Sequence, residues 1–132
     1  MEKVCIIDGS PYFYRAFFGS PDDPVMGLTA MVNSALEYHQ PDRTVIALDA
    51  GRETFRNQIY AHYKGNRPAT LLAFSALLPN LKAVLAGVGE SYELRGYEAD
   101  DIIGTLCKIL DSSQCVILSR DKDLMQLVND RV

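Results

Sequence analysis

Three short apolar runs punctuate this chain, and each ends on or just before an acid. Val4-Cys5-Ile6-Ile7 runs into Asp8, and Val45-Ile46-Ala47-Leu48 runs into Asp49. Cys115-Val116-Ile117-Leu118-Ser119 leads to Asp121 and Asp123. Runs of four to six residues rich in Val and Ile, without polar alternation, suit strands buried on both faces. They predict strands over 4–8, 44–49 and 115–119, with 91–94 as a short edge strand. Between them the spacing turns helical. A helix over 11–18 would have Ser10 as its N-cap and Pro11 at its first position. Residues 28–38 place Leu28, Met31, Val32, Ala35 and Leu36 on one face, and Gln40-Pro41-Asp42 ends that helix. Further helices are expected over 55–63, over 69–85 with Pro79 as a kink or first turn, over 99–110 and over 122–128. The expected buried positions are Leu72, Ala76, Leu77, Leu81, Val84 and Leu85 in the 69–85 helix. In the 99–110 helix they are Ile102, Ile103, Leu106, Ile109 and Leu110. Strands alternating with helices imply parallel βαβ units and a doubly wound α/β sheet.

Parallel sheets bind their ligands at the carboxyl ends of the strands. If these strands share one sheet, Asp8, Asp49, Asp121 and Asp123 reach one edge. They are joined there by Glu98, Asp100 and Asp101, which open the 99–110 helix. Acids in a first helical turn are often only dipole-favoured caps. Three in four residues exceed that need, and Glu98 and Asp101 share a helix face at i,i+3. Gly104 keeps that face open to a close neighbour. Crowded carboxylates repel one another and call for divalent cations or raised pKa values. Oxygen-only donors favour Mg²⁺ or Mn²⁺ over zinc, and two such ions about 4 Å apart suit phosphodiester hydrolysis. Separately, Asp8-Gly9-Ser10 also fits a turn or cap, and Ser119-Arg120-Asp121-Lys122-Asp123 a polar loop.

Charge sharpens the picture. The net charge is −4 over 132 residues, yet the segment 51–67 carries +3 from Arg52, Arg56, Lys64 and Arg67 against Glu53. The rest is therefore −7: an acidic pit beside a basic segment, as suits a metal-dependent enzyme working on a polyanion. Tyr60 and Tyr63 interleave with the basic residues, an arrangement suited to stacking on unpaired bases. A solvated helix face is the plainer reading of the same pattern. The length fits about one domain. No nucleophile elbow, Walker loop or G-x-G-x-x-G stands in the sequence. No apolar stretch reaches the roughly 20 residues of a membrane span, and no signal peptide is visible. Cys5, Cys107 and Cys115 show neither a close pair nor zinc-type spacing, which predicts buried free thiols in a reducing cytoplasm.

Five strings carry a resemblance. They are Ile7-Asp8-Gly9-Ser10 with Tyr14-Arg15-Ala16-Phe17-Phe18, and Leu48-Asp49-Ala50 with Phe55-Arg56. They continue with His62-Tyr63-Lys64 through Arg67-Pro68, and Gly96-Tyr97-Glu98-Ala99-Asp100-Asp101. The last is Asp121-Lys122-Asp123-Leu124 through Gln126-Leu127. In this order, from end to end, the chain resembles the 5′-nuclease superfamily, especially the 5′-3′ exonuclease domains of bacterial DNA polymerase I and their flap-endonuclease relatives. The resemblance implies a PIN-like (resolvase-like) α/β fold with a central, mostly parallel sheet flanked by helices. It implies metal-dependent hydrolysis of DNA near a 5′ end or flap, in replication and repair, with two Mg²⁺ ions that Mn²⁺ can replace.

By the same resemblance, Asp8, Asp49, Glu98, Asp100 and Asp101 ligate the first metal or its waters. Asp121 and Asp123 lean toward the second. Lys64 and Arg67 contact the scissile phosphate and, with Asp8 and Asp100, form the catalytic set. Arg15, Arg56 and Tyr63 join Lys64 and Arg67 in binding DNA. The chain departs from the pattern in a short 19–25 loop, and in Ala69-Thr70-Leu71-Leu72 where the family has Pro-Met-Pro. It also stops at Val132, before the family's helix-three-turn-helix region. It is therefore expected to be one truncated domain over 1–132, whose partner is a missing second half or a polymerase. Alternatives are a metal- and strand-binding lobe that cuts weakly or not at all, a PIN-type ribonuclease, and a receiver-like module phosphorylated on Asp49.

Overall fold

The computed structural model describes residues 2–49, 68–93, 97–119, 122–129 and 131–132. The elements in order are β1 (Lys3–Asp8), α1 (Gly9–Gly19), α2 (Pro24–His39), β2 (Arg43–Leu48), α3 (Pro68–Ala86), β3 (Glu90–Glu93), α4 (Ala99–Ile109) and β4 (Gln114–Leu118). The helix expected over 122–128 is a 3-10 helix spanning Lys122–Leu127. The four strands form one sheet in the order β3-β2-β1-β4, and every pairing is parallel. This is the flanked parallel α/β sheet that the strand–helix alternation predicts. The predicted helix over 55–63 lies outside the described residues.

The order of the strands explains the layers. From β1 the chain steps outward to β2 and then β3, and α1, α2 and α3 cover one face. Ile7, Ile46 and Leu48 point into that layer with Phe13, Leu28, Val32, Phe74, Leu81 and Leu85. After β3 the chain crosses back over β1 to reach β4, and α4 lies on the other face. There Val4, Ile6, Val45 and Ala47 meet Ala99, Ile102, Ile103, Cys107 and Leu124. Successive strand residues thus serve opposite layers, and β1 is buried on both sides. Each fully buried Leu, Ile or Phe contributes roughly 1.5–3 kcal/mol relative to exposure.

Packing corrects two predicted helix faces. In α3 the buried stripe is Phe74, Leu78, Leu81 and Leu85, whereas Leu72 is exposed and Ala76 lies at the surface. The helix is apolar on nearly every side, so its own periodicity is weak. The aromatic ring of Phe74 decides the face, with centroids 5.4 Å from Tyr14 and 5.3 Å from Phe17. Pro79 stays within the helix, and Leu78 and Leu81 anchor it on either side. In α4, Ile109 is exposed and Cys107 takes the buried position instead. Positions 99, 102, 103, 106, 107 and 110 make a continuous stripe, and 109 falls off it.

The edges of the sheet differ. β3 is exposed along its whole length and carries Glu90 and Glu93, charges that discourage pairing with another strand. Arg43 bridges to Glu90 at 2.9 Å and Lys82 to Glu93 at 3.0 Å. Both pairs are solvated, so they add little to stability. Behind β3, Gly89 has no room for a side chain, because a β-carbon would collide with the Thr44 carbonyl. Cys5, Cys107 and Cys115 are free and buried, as expected. The Cys107 and Cys115 thiols also meet, a pairing that their eight-residue separation conceals. Burial and the neighbouring thiol push Cys107 up to about 11.

Candidate metal centre

All four strands point their carboxyl ends to the same edge, and the described acids predicted for it divide into two groups. Asp8 is the last residue of β1 and Asp49 follows β2, and both are buried. Asp8 also stands at the N-cap of α1, so this helix begins at Gly9, two residues earlier than predicted. Ser10 is not its cap. The Ser10 hydroxyl instead donates to Asp49 Oδ2 at 2.6 Å, and the Ala99 N–H donates to Asp49 Oδ1 at 2.8 Å. Asp49 thereby ties the end of β2 to the first turns of α1 and α4. On the other flank of β1, the Ser119 hydroxyl donates to Asp8 Oδ2 at 2.6 Å.

The second group stands at the start of α4. Glu98 is the N-cap, and Asp100 and Asp101 lie in the first turn. Asp101 reaches back to accept the Glu98 N–H at 3.3 Å, and Asp100 accepts the Asp101 N–H at 3.0 Å. Capping therefore accounts for part of this cluster. It does not remove the crowding. Glu98 is held above its ordinary pKa by Asp100 first, then by partial burial, Asp49 and Asp101, with a hydrogen bond to Asp100 adding to it. Like charges disfavour ionisation, so a proton or a cation is favoured here. Gly104 lies on open helix surface, with no described atom within 4 Å of a β-carbon built there.

The donors are all carboxylate oxygens, the set that hard divalent ions prefer. Their chemistry fits such an ion. As arranged, however, no group of three or more acids, histidines or cysteines among the described residues closes around one. Arg15 is exposed on α1 and lines a cavity of about 240 Å³ with Pro11, Tyr12, Ile117, Leu118 and Ser119. Burial raises the Tyr12 phenol there, and Arg15 opposes the shift. Arg56, Tyr63, Lys64, Arg67 and Asp121 lie outside the described residues, as does the side chain of Asp123. Sequence reasoning missed Ser119 and misassigned Ser10. The available signal was a hydroxyl residue immediately beyond a buried strand or beside a strand-ending acid.

Residues 3–132 match the 5′-3′ exonuclease, N-terminal resolvase-like domain family. The chain belongs to that family. DNA polymerase I of Streptococcus pneumoniae is 39% identical over 145 residues, covering 98% of this chain and 16% of the polymerase. DNA polymerase I of Bacillus caldotenax is 38% identical over 143 residues, covering 99% and 16%. The exonuclease-family chain thus spans about one-sixth of the length of these relatives. Among solved structures, T5 5′-exonuclease with bound divalent zinc ions has a TM-score of 0.79 at 20% identity, covering 98% of this chain and 53% of that one. The bacteriophage T5 D15 flap endonuclease, in a pseudo-enzyme-product complex with DNA and metal ions, has a TM-score of 0.77 at 19% identity with the same coverage. These likenesses confirm the resolvase-like fold of the exonuclease domain. No helix among the described residues is long and apolar enough to cross a membrane.

Proposed function

We propose that this chain is the catalytic part of a metal-dependent 5′ nuclease that hydrolyses DNA phosphodiesters near a 5′ end or flap, using two Mg²⁺ ions. The observation that carries this reading is the carboxyl edge of the sheet. Buried Asp8 and Asp49 stand there, and the self-repelling Glu98 cluster lies against Asp49. Family membership supports the reading, as do the metal ions and DNA found with the T5 proteins of the same fold. Bound ions would supply an activated water and charge stabilisation at the leaving oxygen.

The remaining roles belong to the chain itself. Asp8, Asp49, Glu98, Asp100 and Asp101 hold the first ion or its waters, and Asp121 and Asp123 serve the second. Lys64 and Arg67 grip the scissile phosphate, Arg56 supports them, and Tyr63 stacks on a base. Arg15, exposed beside Ser119, holds the DNA backbone near the same edge. The test is cleavage of a 5′-labelled flap DNA with Mg²⁺, with Mn²⁺ and with chelator. Cutting near the junction that chelator abolishes is expected. Cutting that persists in chelator would overturn the reading.

A further inference from the structure

We propose that Ser119 and Ser10 are positioning residues for the metal-binding edge, each hydroxyl fixing the orientation of one buried aspartate. The inference rests on the metal centre proposed above and extends it beyond the carboxylates. The two bonds have the same form. Ser119 Oγ donates to Asp8 Oδ2 and Ser10 Oγ donates to Asp49 Oδ2, each at 2.6 Å. A serine hydroxyl has one proton to give, and 2.5–2.7 Å is the range of a charge-assisted O–H···O⁻ bond. Such a bond sets the plane of the carboxylate.

Topology makes the Ser119 bond the more consequential. The chain leaves β1 on one side toward β2 and returns on its other side at β4, so the sheet reverses its strand order between β1 and β4. In open α/β sheets the binding crevice opens at that reversal. Asp8 ends β1, Ser119 follows β4, and their hydrogen bond spans the mouth of the crevice. Ser10 does the equivalent between α1 and the end of β2, where Asp49 is also held by the Ala99 N–H. Ser119, Asp8, Ser10 and Asp49 thus give the ends of β4, β1 and β2 one set of fixed carboxylate orientations before any ion arrives.

Mn²⁺ binding tests this without relying on turnover. Removing a group that orients a metal ligand typically weakens metal affinity about 10- to 100-fold. Binding to the whole chain is followed by calorimetry and by loss of the free Mn²⁺ resonance signal, with thermal melting in chelator as the control for folding. Ser119→Ala and Ser10→Ala are expected to weaken binding about tenfold or more, with melting temperatures in chelator close to wild type. Ser119→Thr, which keeps the hydroxyl, is expected to bind within a few-fold of wild type, and Ser119→Val, its isostere without the hydroxyl, to match the alanine variant. Equal binding by the threonine and valine variants overturns the proposal. So does loss of the fold in every variant lacking the hydroxyl while Ser119→Thr folds, because the bond is then a structural clasp. If the wild-type chain itself binds no Mn²⁺, the metal centre fails, and that result is distinct from a failure of the serines.

Discussion

Helices α1 and α4 both start at the carboxyl edge of the sheet with an acid at the N-cap, yet the two ends are built differently. At α1 the acid is Asp8, 7% exposed, with no acid in the helical turn that follows and no side-chain capping bond. Its carboxylate is held from across the sheet by Ser119. At α4 the acids are Glu98, Asp100 and Asp101, more open to solvent and bonded to their own backbone. A helix N-terminus favours negative charge in both places. The difference is in what fixes that charge: tertiary contacts in the first case, local capping in the second. A cation arriving between them would meet one side already oriented and another free to adjust.

The largest test of this contrast is loss of the acids themselves. Asp8→Asn and Asp100→Asn are each expected to reduce flap cleavage by about 10³-fold, roughly 4 kcal/mol of transition-state stabilisation. Far-UV circular dichroism should be unchanged in both. Full activity in Asp8→Asn beside an inactive Asp100→Asn would mean that the buried aspartate serves the fold alone.

Gly104→Ala probes the open face of α4. A β-carbon there meets no described atom within 4 Å, and Ala in place of Gly inside a helix stabilises by about 0.5–1 kcal/mol. The urea midpoint should rise. A rise accompanied by weaker cleavage would show that substrate uses this face, and an unchanged or lower midpoint would show that something already covers it.

The smallest effect concerns the crowding at Glu98. Its pKa is raised in the folded chain by Asp100, partial burial, Asp49 and Asp101, so its ionised form opposes folding. Glu98→Gln should therefore raise the melting temperature slightly in chelator at neutral pH. Below the ordinary value of 4.5, glutamate is protonated in both states and the gain should vanish. Between 4.5 and the raised value, wild-type stability falls as pH rises, and the advantage of the variant grows. Saturating Mg²⁺ should reverse the order of the two proteins, because the ion then stabilises wild type through Glu98. A melting difference that ignores pH would break the link between the crowding and this end of α4.

The fold was legible where burial on both faces leaves an uninterrupted apolar run, as in Val4–Ile7 and Val45–Leu48. It was less so where a helix is apolar all round. The start of α3 was misread at Leu72 and Ala76 because Phe74 is chosen by Tyr14 and Phe17, which lie far away in sequence. At the site, the acids announce themselves by closing strands, but their partners do not. Ser10 has every local mark of an N-cap, and a contact across 39 residues takes its hydroxyl instead. The Ser119 bond to Asp8 spans 111 residues. Such contacts depend on strand order, which hydrophobic periodicity does not encode.

Gly9 fits this edge by what it lacks. A β-carbon there would come within 2.5 Å of Leu48 Cδ2 and 3.4 Å of Leu85 Cδ1. Leu48 is buried and directly precedes Asp49, and Gly9 lies between Asp8 and Ser10. The packing beside the two buried aspartates therefore leaves no slack for a methyl group at Gly9. One added carbon at a residue with no chemistry of its own would press on the tip of the Leu48 side chain, which would have to turn aside within a buried layer directly beneath Asp49.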